Sequence, residues 1–204
     1  MPTNAVLRAV AREQLKGKWG NPVLATFVYI VILVLISFIP MIGWFISFLI
    51  AGPFFLGFMT YFLNLKRGKN SKIEDIFGGF KIFGAAFVLH ILISVFTLLW
   101  TLLLIIPGII AAIKYSMAYF ILSDNPNISA QEAINRSKVM MEGNKKQFFY
   151  LMLSFLGWAL GCVLTLGIGF LWLLPYVNMT LVNFYENLIK LKQEGNIVSS
   201  FENV

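Results

Sequence analysis

Acidic residues are scarce in this chain, nine of 204 against sixteen basic ones. Cysteine and histidine occur once each, as Cys162 and His90. A single cysteine excludes an intramolecular disulfide and a cysteine metal cluster. A single histidine with no carboxylate or cysteine in reach along its own helix holds no metal. His90 therefore reads as a hydrogen-bonded packing residue, with proton coupling as the alternative. Charged residues make up only 12% of the chain, about half of what a soluble domain carries. A soluble fold with one anchor is excluded on that ground. No phosphate-binding loop, zinc signature or nucleophile elbow is present. Asp124, Glu132, Arg136 and Glu142 share a short stretch. They lack the converging carboxylates that phosphodiester hydrolysis on two metal ions needs, and read as a solvated, capping face. The expectation is a protein that is not an enzyme and needs no cofactor or metal.

What is abundant is apolar. Hydrophobic residues reach 59%, mean hydropathy is +0.81, and phenylalanine alone supplies 20 positions. That is the composition of an all-α polytopic membrane protein. The net charge of +7 then serves topology rather than nucleic acid. No cleavable signal peptide is expected, because the first apolar run, from Val23, is too long for one.

Read in order, residues 1–20 form a basic surface helix, with Val6, Val10 and Leu15 against Arg8, Arg12, Lys16 and Lys18. Residues 21–65 form a first hairpin, with helices over 23–39 and 44–65, a turn at 40–43, and a kink at Gly52-Pro53. Residues 66–122 hold a basic surface segment and a second hairpin over 83–122, turned at Pro107-Gly108. In that segment Ser71 and Glu74 have the spacing of a capping box. Residues 123–189 hold an amphipathic helix, opened by a second capping box at Ser129 and Glu132, and a third hairpin over 148–189 turned at Gly167-Ile-Gly169. Residues 190–204 form a polar, frayed tail. Six transmembrane helices as three tandem hairpins, each preceded by a cytoplasmic amphipathic surface helix, is the expected architecture. Fifteen of the sixteen basic residues fall outside the apolar runs and the short turns. The positive-inside rule then places both termini in the cytoplasm of a multi-pass plasma-membrane protein.

The hairpins carry an internal repeat. Pro53, Lys114 and Pro175 stand 61 residues apart. At the same register Phe54, Tyr115 and Tyr176 are aromatic, and Asn64, Asn125 and Glu186 are polar. Three units starting on one side make parallel rather than inverted repeats.

Further stretches carry a family resemblance. They are Tyr119-Phe-Ile-Leu-Ser-Asp-Asn-Pro126, Ser129-Ala-Gln-Glu-Ala-Ile-Asn-Arg-Ser-Lys138 with Met141-Glu-Gly143, Leu164-Thr-Leu-Gly-Ile-Gly-Phe-Leu-Trp-Leu-Leu-Pro-Tyr176, and Phe184-Tyr-Glu186. With them the chain resembles the bacterial integral membrane family called domain of unknown function 975, over nearly its whole length. The resemblance implies a six-helix bacterial membrane protein and carries over no functional residue.

Lys114 is the sharpest candidate for a site. Counted from Gly108 it lies ~9 Å into its helix, and a charge there marks function by default. Its stem either snorkels to the outer headgroups or meets a ligand or lipid phosphate. It is expected to face inward, toward the anchor-register aromatics Tyr115 and Tyr176 or the last helix. That helix carries Tyr176, Thr180, Asn183 and Asn187 as one polar stripe. The stripe reads as interhelical glue, or as one wall of a hydrated cavity. Arg8, Arg12, Lys16, Lys18, Lys66, Arg67 and Lys69 are expected to contact anionic lipid headgroups.

Two functions fit these features. One is a non-enzymatic membrane protein that binds lipid, a peptide or a protein partner, in envelope maintenance or self-protection. The other is a small transporter or channel with a path near Lys114 and the last helix. Its three-unit layout is like that of mitochondrial carriers, but Pro53 and Pro175 are followed by Phe-Phe and Tyr-Val, without the carriers' charged motif.

Overall fold

A computed structural model describes residues 1–40 and 42–202, with side chains described as far as Gln193. The described residues are helical throughout, with no strand. Helix α1 (Asn4–Leu15) opens where the Thr3 hydroxyl accepts from the Val6 amide and ends before Gly17, at φ 73°. Its buried face is Leu7, Ala11 and Leu15. Val6 and Val10, expected on that face, are exposed. A spacing of four keeps Leu7, Ala11 and Leu15 in one row, and Val6 falls off it.

Two long helices follow, α2 (Gly20–Ser37) and α3 (Gly43–Lys66). A 3-10 helix (Ile73–Ile82) leads into α4 (Phe83–Leu103). Its cap differs from the expected Ser71/Glu74 pair. Lys72 is the cap residue, and its amide donates to the Asp75 carboxylate at 3.0 Å. Of the second expected capping box the serine half is present, with the Glu132 amide donating to the Ser129 hydroxyl at 3.1 Å, while the Glu132 carboxylate accepts from Arg136 at 2.7 Å instead of turning back to the cap.

Between α4 and α5 (Ile105–Tyr115) the chain turns at Leu104, which is extended at φ −162°, ψ 144°. The turn therefore precedes Pro107-Gly108. Pro107 lies in the first turn of α5, where its missing N–H costs no hydrogen bond. Gly108 lets α4 come close, since a β-carbon there would collide with Thr101.

The span expected to continue to Leu122 is broken. α5 ends at Tyr115 and α6 runs Ala118–Asp124. Ser137, fully buried on α7 (Ala130–Met140), splints the break. Its hydroxyl donates to the Lys114 carbonyl at 2.7 Å and accepts from the Met117 amide at 3.2 Å. Replacing Ser137 by alanine is expected to leave both groups without partners and cost about 1–2 kcal/mol. A chemical melt in detergent micelles, beside a Ser137→Thr control, measures it.

After Gly143, at φ 74°, come α8 (Lys145–Leu164) and α9 (Phe170–Glu202). The turn between them uses Gly167 at φ 87° and Leu166 at φ 52°. Most of the tail expected to fray lies outside the residues whose side chains are described.

Among the described residues five helical stretches are long and apolar enough to cross a membrane: Gly20–Ser37, Gly43–Lys66, Ile73–Leu103, Ile105–Asp124 and Lys145–Leu164. α9, expected as a sixth, is not among them. Asn178, Thr180 and Asn183 are buried along it, and such polar groups suit packing against protein rather than lipid.

α3 is the hub, touching α2, the 3-10 helix, α4, α6 and α9. α2 and α3, α4 and α5, and α8 and α9 pack as pairs. The pairs close a ring through the α3–α4, α5–α8 and α9–α2 contacts. α1 packs on α9 and α8, the 3-10 helix mainly on α3 with smaller contacts to α4 and α2, and α7 on α4, α5 and α6. Large apolar side chains cover the turn ends and outer faces, with Phe38 77%, Trp44 79% and Leu164 87% exposed. So much continuous apolar surface is sustainable only in a lipid environment.

Candidate site at the lysine end of α5

Helix α5 is a ridge between two grooves, and Lys114 closes the same end of both. The first groove, about 550 Å³, lies between α4 and α5. Phe96, Trp100, Pro107 and Ile110 wall it, and Lys114, Tyr115 and Lys138 stand at its base. The second, about 630 Å³, lies between α5 and α8. Ile106, Ile109, Ile113 and Phe149 wall it, and Lys114, Lys145 and Lys146 line its end. Ile110 and Lys114 line both.

The local sequence explains the placement. Lys114 stands ten positions beyond Leu104, a rise of ~15 Å. Lys114 therefore lies far from the turn, in the last helical turn, where its charge suits the helix dipole. α7 brings Lys138, whose Nζ stands 5.7 Å from the centre of the Tyr115 ring. α8 brings Lys145 and Lys146 in its first turn, where the dipole disfavours cations and favours an anion. Among the described residues none of these four lysines forms a salt bridge.

This corrects two expectations for Lys114. It is beside α7 and the start of α8, not near the outer turn. It also shares no groove with Tyr176, Thr180, Asn183 and Asn187. Tyr115 is buried at its side and stacks obliquely on Phe96, ring centres 6.2 Å apart.

The last-helix stripe is mostly turned on itself. The Thr180 hydroxyl donates to the Tyr176 carbonyl, and the Asn187 amide to the Asn183 carbonyl. Asn183 makes the one interhelical bond, its side-chain amide donating to Gln14 Oε1 on α1 at 3.1 Å. Tyr176 packs edge-on to Phe155 and lies under the Arg12 guanidinium, 6.0 Å from ring centre. Asn183→Ala is expected to loosen α1 from α9 at a cost of about 1 kcal/mol, read as faster amide exchange confined to α1.

His90 Nδ1 lies 3.0 Å from the Tyr119 hydroxyl, joining α4 to α6. Among the described residues no group of three or more His, Cys, Asp or Glu side chains is placed to hold a metal ion.

The basic residues assigned to lipid headgroups divide. Arg12, Lys16, Lys18 and Lys69 are exposed, and Arg8 and Lys66 are half-buried. Lys16 adds a loose 3.9 Å pair with Glu13. Arg67 differs from these, because three of its five N–H donors are engaged in a clasp. Its Nη1 and Nη2 donate to both oxygens of Asp124, and its Nε donates to Glu186 at 2.8 Å. Tyr185 donates to the same Asp124 at 2.9 Å. The guanidinium is held charged far above its ordinary range, foremost by the hydrogen bonds to Asp124 and further by Glu186, against the pull of partial burial. One cation thus ties the C-terminal ends of α3 and α6 to the middle of α9. The repeat register hinted at this, since Asn64, Asn125 and Glu186 coincide. The groups that meet are their neighbours Asp124 and Tyr185, also 61 residues apart.

A family model described as "Protein of unknown function (DUF975)" matches residues 1–113 and 101–192. No curated protein and no solved structure shows significant similarity to the chain.

Proposed function

The chain belongs to the DUF975 family of proteins of unknown function, and from that premise we propose that it is a non-enzymatic bacterial plasma-membrane protein that binds an anionic lipid-like amphiphile beside α5, in envelope maintenance or self-protection. In this reading the three helix pairs are tandem hairpins, α9 crosses as the sixth helix inside the bundle, and both termini are cytoplasmic. The lysine ends of the grooves then face the inner-leaflet headgroups.

One observation carries the proposal. Four lysines without salt bridges gather where two apolar grooves end. Apolar walls take a hydrocarbon chain, and the lysines take the negative head. Each cation near an anionic surface contributes about 1 kcal/mol. Placing them at the ends of the grooves gives a head-and-tail geometry that scattered surface lysines lack.

The test is native mass spectrometry on gently extracted protein, wild type beside Lys114→Met. A discrete bound mass, weakened at least tenfold in the variant, is expected. A wild-type protein without bound lipid, or a bound mass that is indifferent to Lys114, would overturn the reading.

A second reading, a small solute path, is favoured by a cavity of about 600 Å³ among α3, α4, α5 and α9. Its walls are mostly apolar, and Ser94, Thr97, Thr101, Ser116 and Tyr119 supply its polar groups. The buried Thr97 hydroxyl there has no partner. Proteoliposomes that take up a labelled polyol with the wild type and not with Thr97→Val would establish this path. Equal leakage in both would remove it.

A further inference from the structure

We infer that the site beside α5 is built for a glycerophospholipid carrying two phosphates on a short polyol bridge, with acyl chains on both sides of the helix. This rests on the amphiphile-binding reading of the same site and deepens it.

The geometry asks for a forked ligand. The two grooves flank one helix and share only Ile110 and Lys114. A single-chain amphiphile would fill one groove and leave the other empty. The cations are also divided. Lys138 lines only the α4–α5 groove, whereas Lys145 and Lys146 line only the α5–α8 groove. One phosphate placed at Lys114 would leave a cation or cations on at least one side without an anion. Two phosphates answer both sides, one between Lys114 and Lys138 and the other between Lys114 and Lys145-Lys146.

The charge balance points the same way. Lys114, Lys138 and Lys145 are half-buried and Lys146 is exposed, and cations gathered in this way are unfavourable to one another unless anions intervene. A monoanionic lipid neutralises one of the four, and a dianionic lipid neutralises two. The second phosphate also lies at the N-terminal end of α8. There the unpaired amides and the helix dipole favour an anion, and Lys145 and Lys146 by themselves are unfavourable. The 20-residue α8 has a full dipole to offer. Basic pockets between membrane helices at the inner-leaflet level are known receivers of doubly charged headgroups. Trp100 and Tyr150 border the two grooves, giving each an aromatic wall beside its aliphatic ones.

The experiment is a lipid titration of the full-length protein in neutral detergent, read by native mass spectrometry. The probes are tetraoleoyl diphosphatidylglycerol, dioleoylphosphatidylglycerol and dioleoylphosphatidylcholine. The wild type is expected to prefer the diphosphate lipid at least tenfold over the monophosphate one. Lys138→Gln should bring that preference to threefold or less while monophosphate binding persists, and so should the Lys145→Gln/Lys146→Gln pair. Ile109→Trp, which fills the α5–α8 groove from its apolar side, should do the same without changing any charge. Equal binding of the two anionic lipids by the wild type overturns the inference, and so does a preference that survives both lysine variants. In either case the amphiphile-binding reading stands as long as Lys114→Met still weakens both lipids. Binding of all three lipids alike, unaffected by Lys114, overturns inference and reading together. Melting temperatures within a few degrees of wild type, measured on each variant, establish that a lost preference is not lost folding.

Discussion

Alanine at position 57 is expected to lower the stability of the bundle by about 3 kcal/mol or more, above the usual cost of an overpacked core position. Gly57 lies on the buried face of α3, and an added β-carbon would fall on the backbone carbonyl of Ile76 in the 3-10 helix. The partner glycine is placed reciprocally: a β-carbon on Gly79 would fall on the Pro53 carbonyl of α3. Both obstacles are backbone, so no side chain can swing aside. The 3-10 helix would have to leave α3, exposing Ile76, which is fully buried. Gly79→Ala should therefore match Gly57→Ala. Gly78→Ala should be near neutral, because a β-carbon there meets nothing within 4 Å. Melting in detergent, followed by tryptophan fluorescence, ranks the three. A Gly57→Ala protein as stable as Gly78→Ala would mean that the two backbones are not in contact.

The second large effect belongs to Arg67. Arg67→Met is expected to cost about 2–3 kcal/mol, between the value of an exposed pair and that of a buried one. The side chains of Arg67, Asp124 and Glu186 retain 29%, 18% and 21% of their exposure. Solvent screens them in part. Removing the cation does more than delete two ion pairs, since it leaves two carboxylates close together with only Lys66 as a nearby, unbonded cation. Adding Asp124→Asn and Glu186→Gln to Arg67→Met should recover part of the loss. Strict additivity of the three substitutions would show that the groups do not interact. Salt offers an independent check. Raising ionic strength should narrow the gap between wild type and Arg67→Met, because partial exposure lets ions screen the clasp.

Helix content and membrane class were legible in composition alone, because a chain this apolar and this poor in charge has few other solutions. The helix bounds were legible where capping chemistry is local, as at Ser129. They were not where a distant residue decides. The break between α5 and α6 depends on a hydroxyl contributed by α7, and no pattern within residues 105–124 announces it. For the same reason Lys114 was placed at the wrong depth. Its distance was counted from Pro107-Gly108, whereas the chain turns at Leu104 and the helix stops just after the lysine. The other three lysines of the site were visible only as loop charge. The face of α1 was misjudged by one position, because Val6 and Leu7 are equally apolar and only packing on α9 tells them apart.

The ring of contacts also sets an order of assembly during synthesis. α4, α5 and α6 are made before the residue that splints their break, so the second pair cannot be completed until α7 follows it. The 3-10 helix likewise arrives after the α2–α3 pair on which it lies. α1 is the exception. It precedes them all, yet the surface that buries Leu7, Ala11 and Leu15 belongs to α8 and α9, which follow them all. The buried face of α1 therefore stays uncovered until α8 and α9 have joined the bundle.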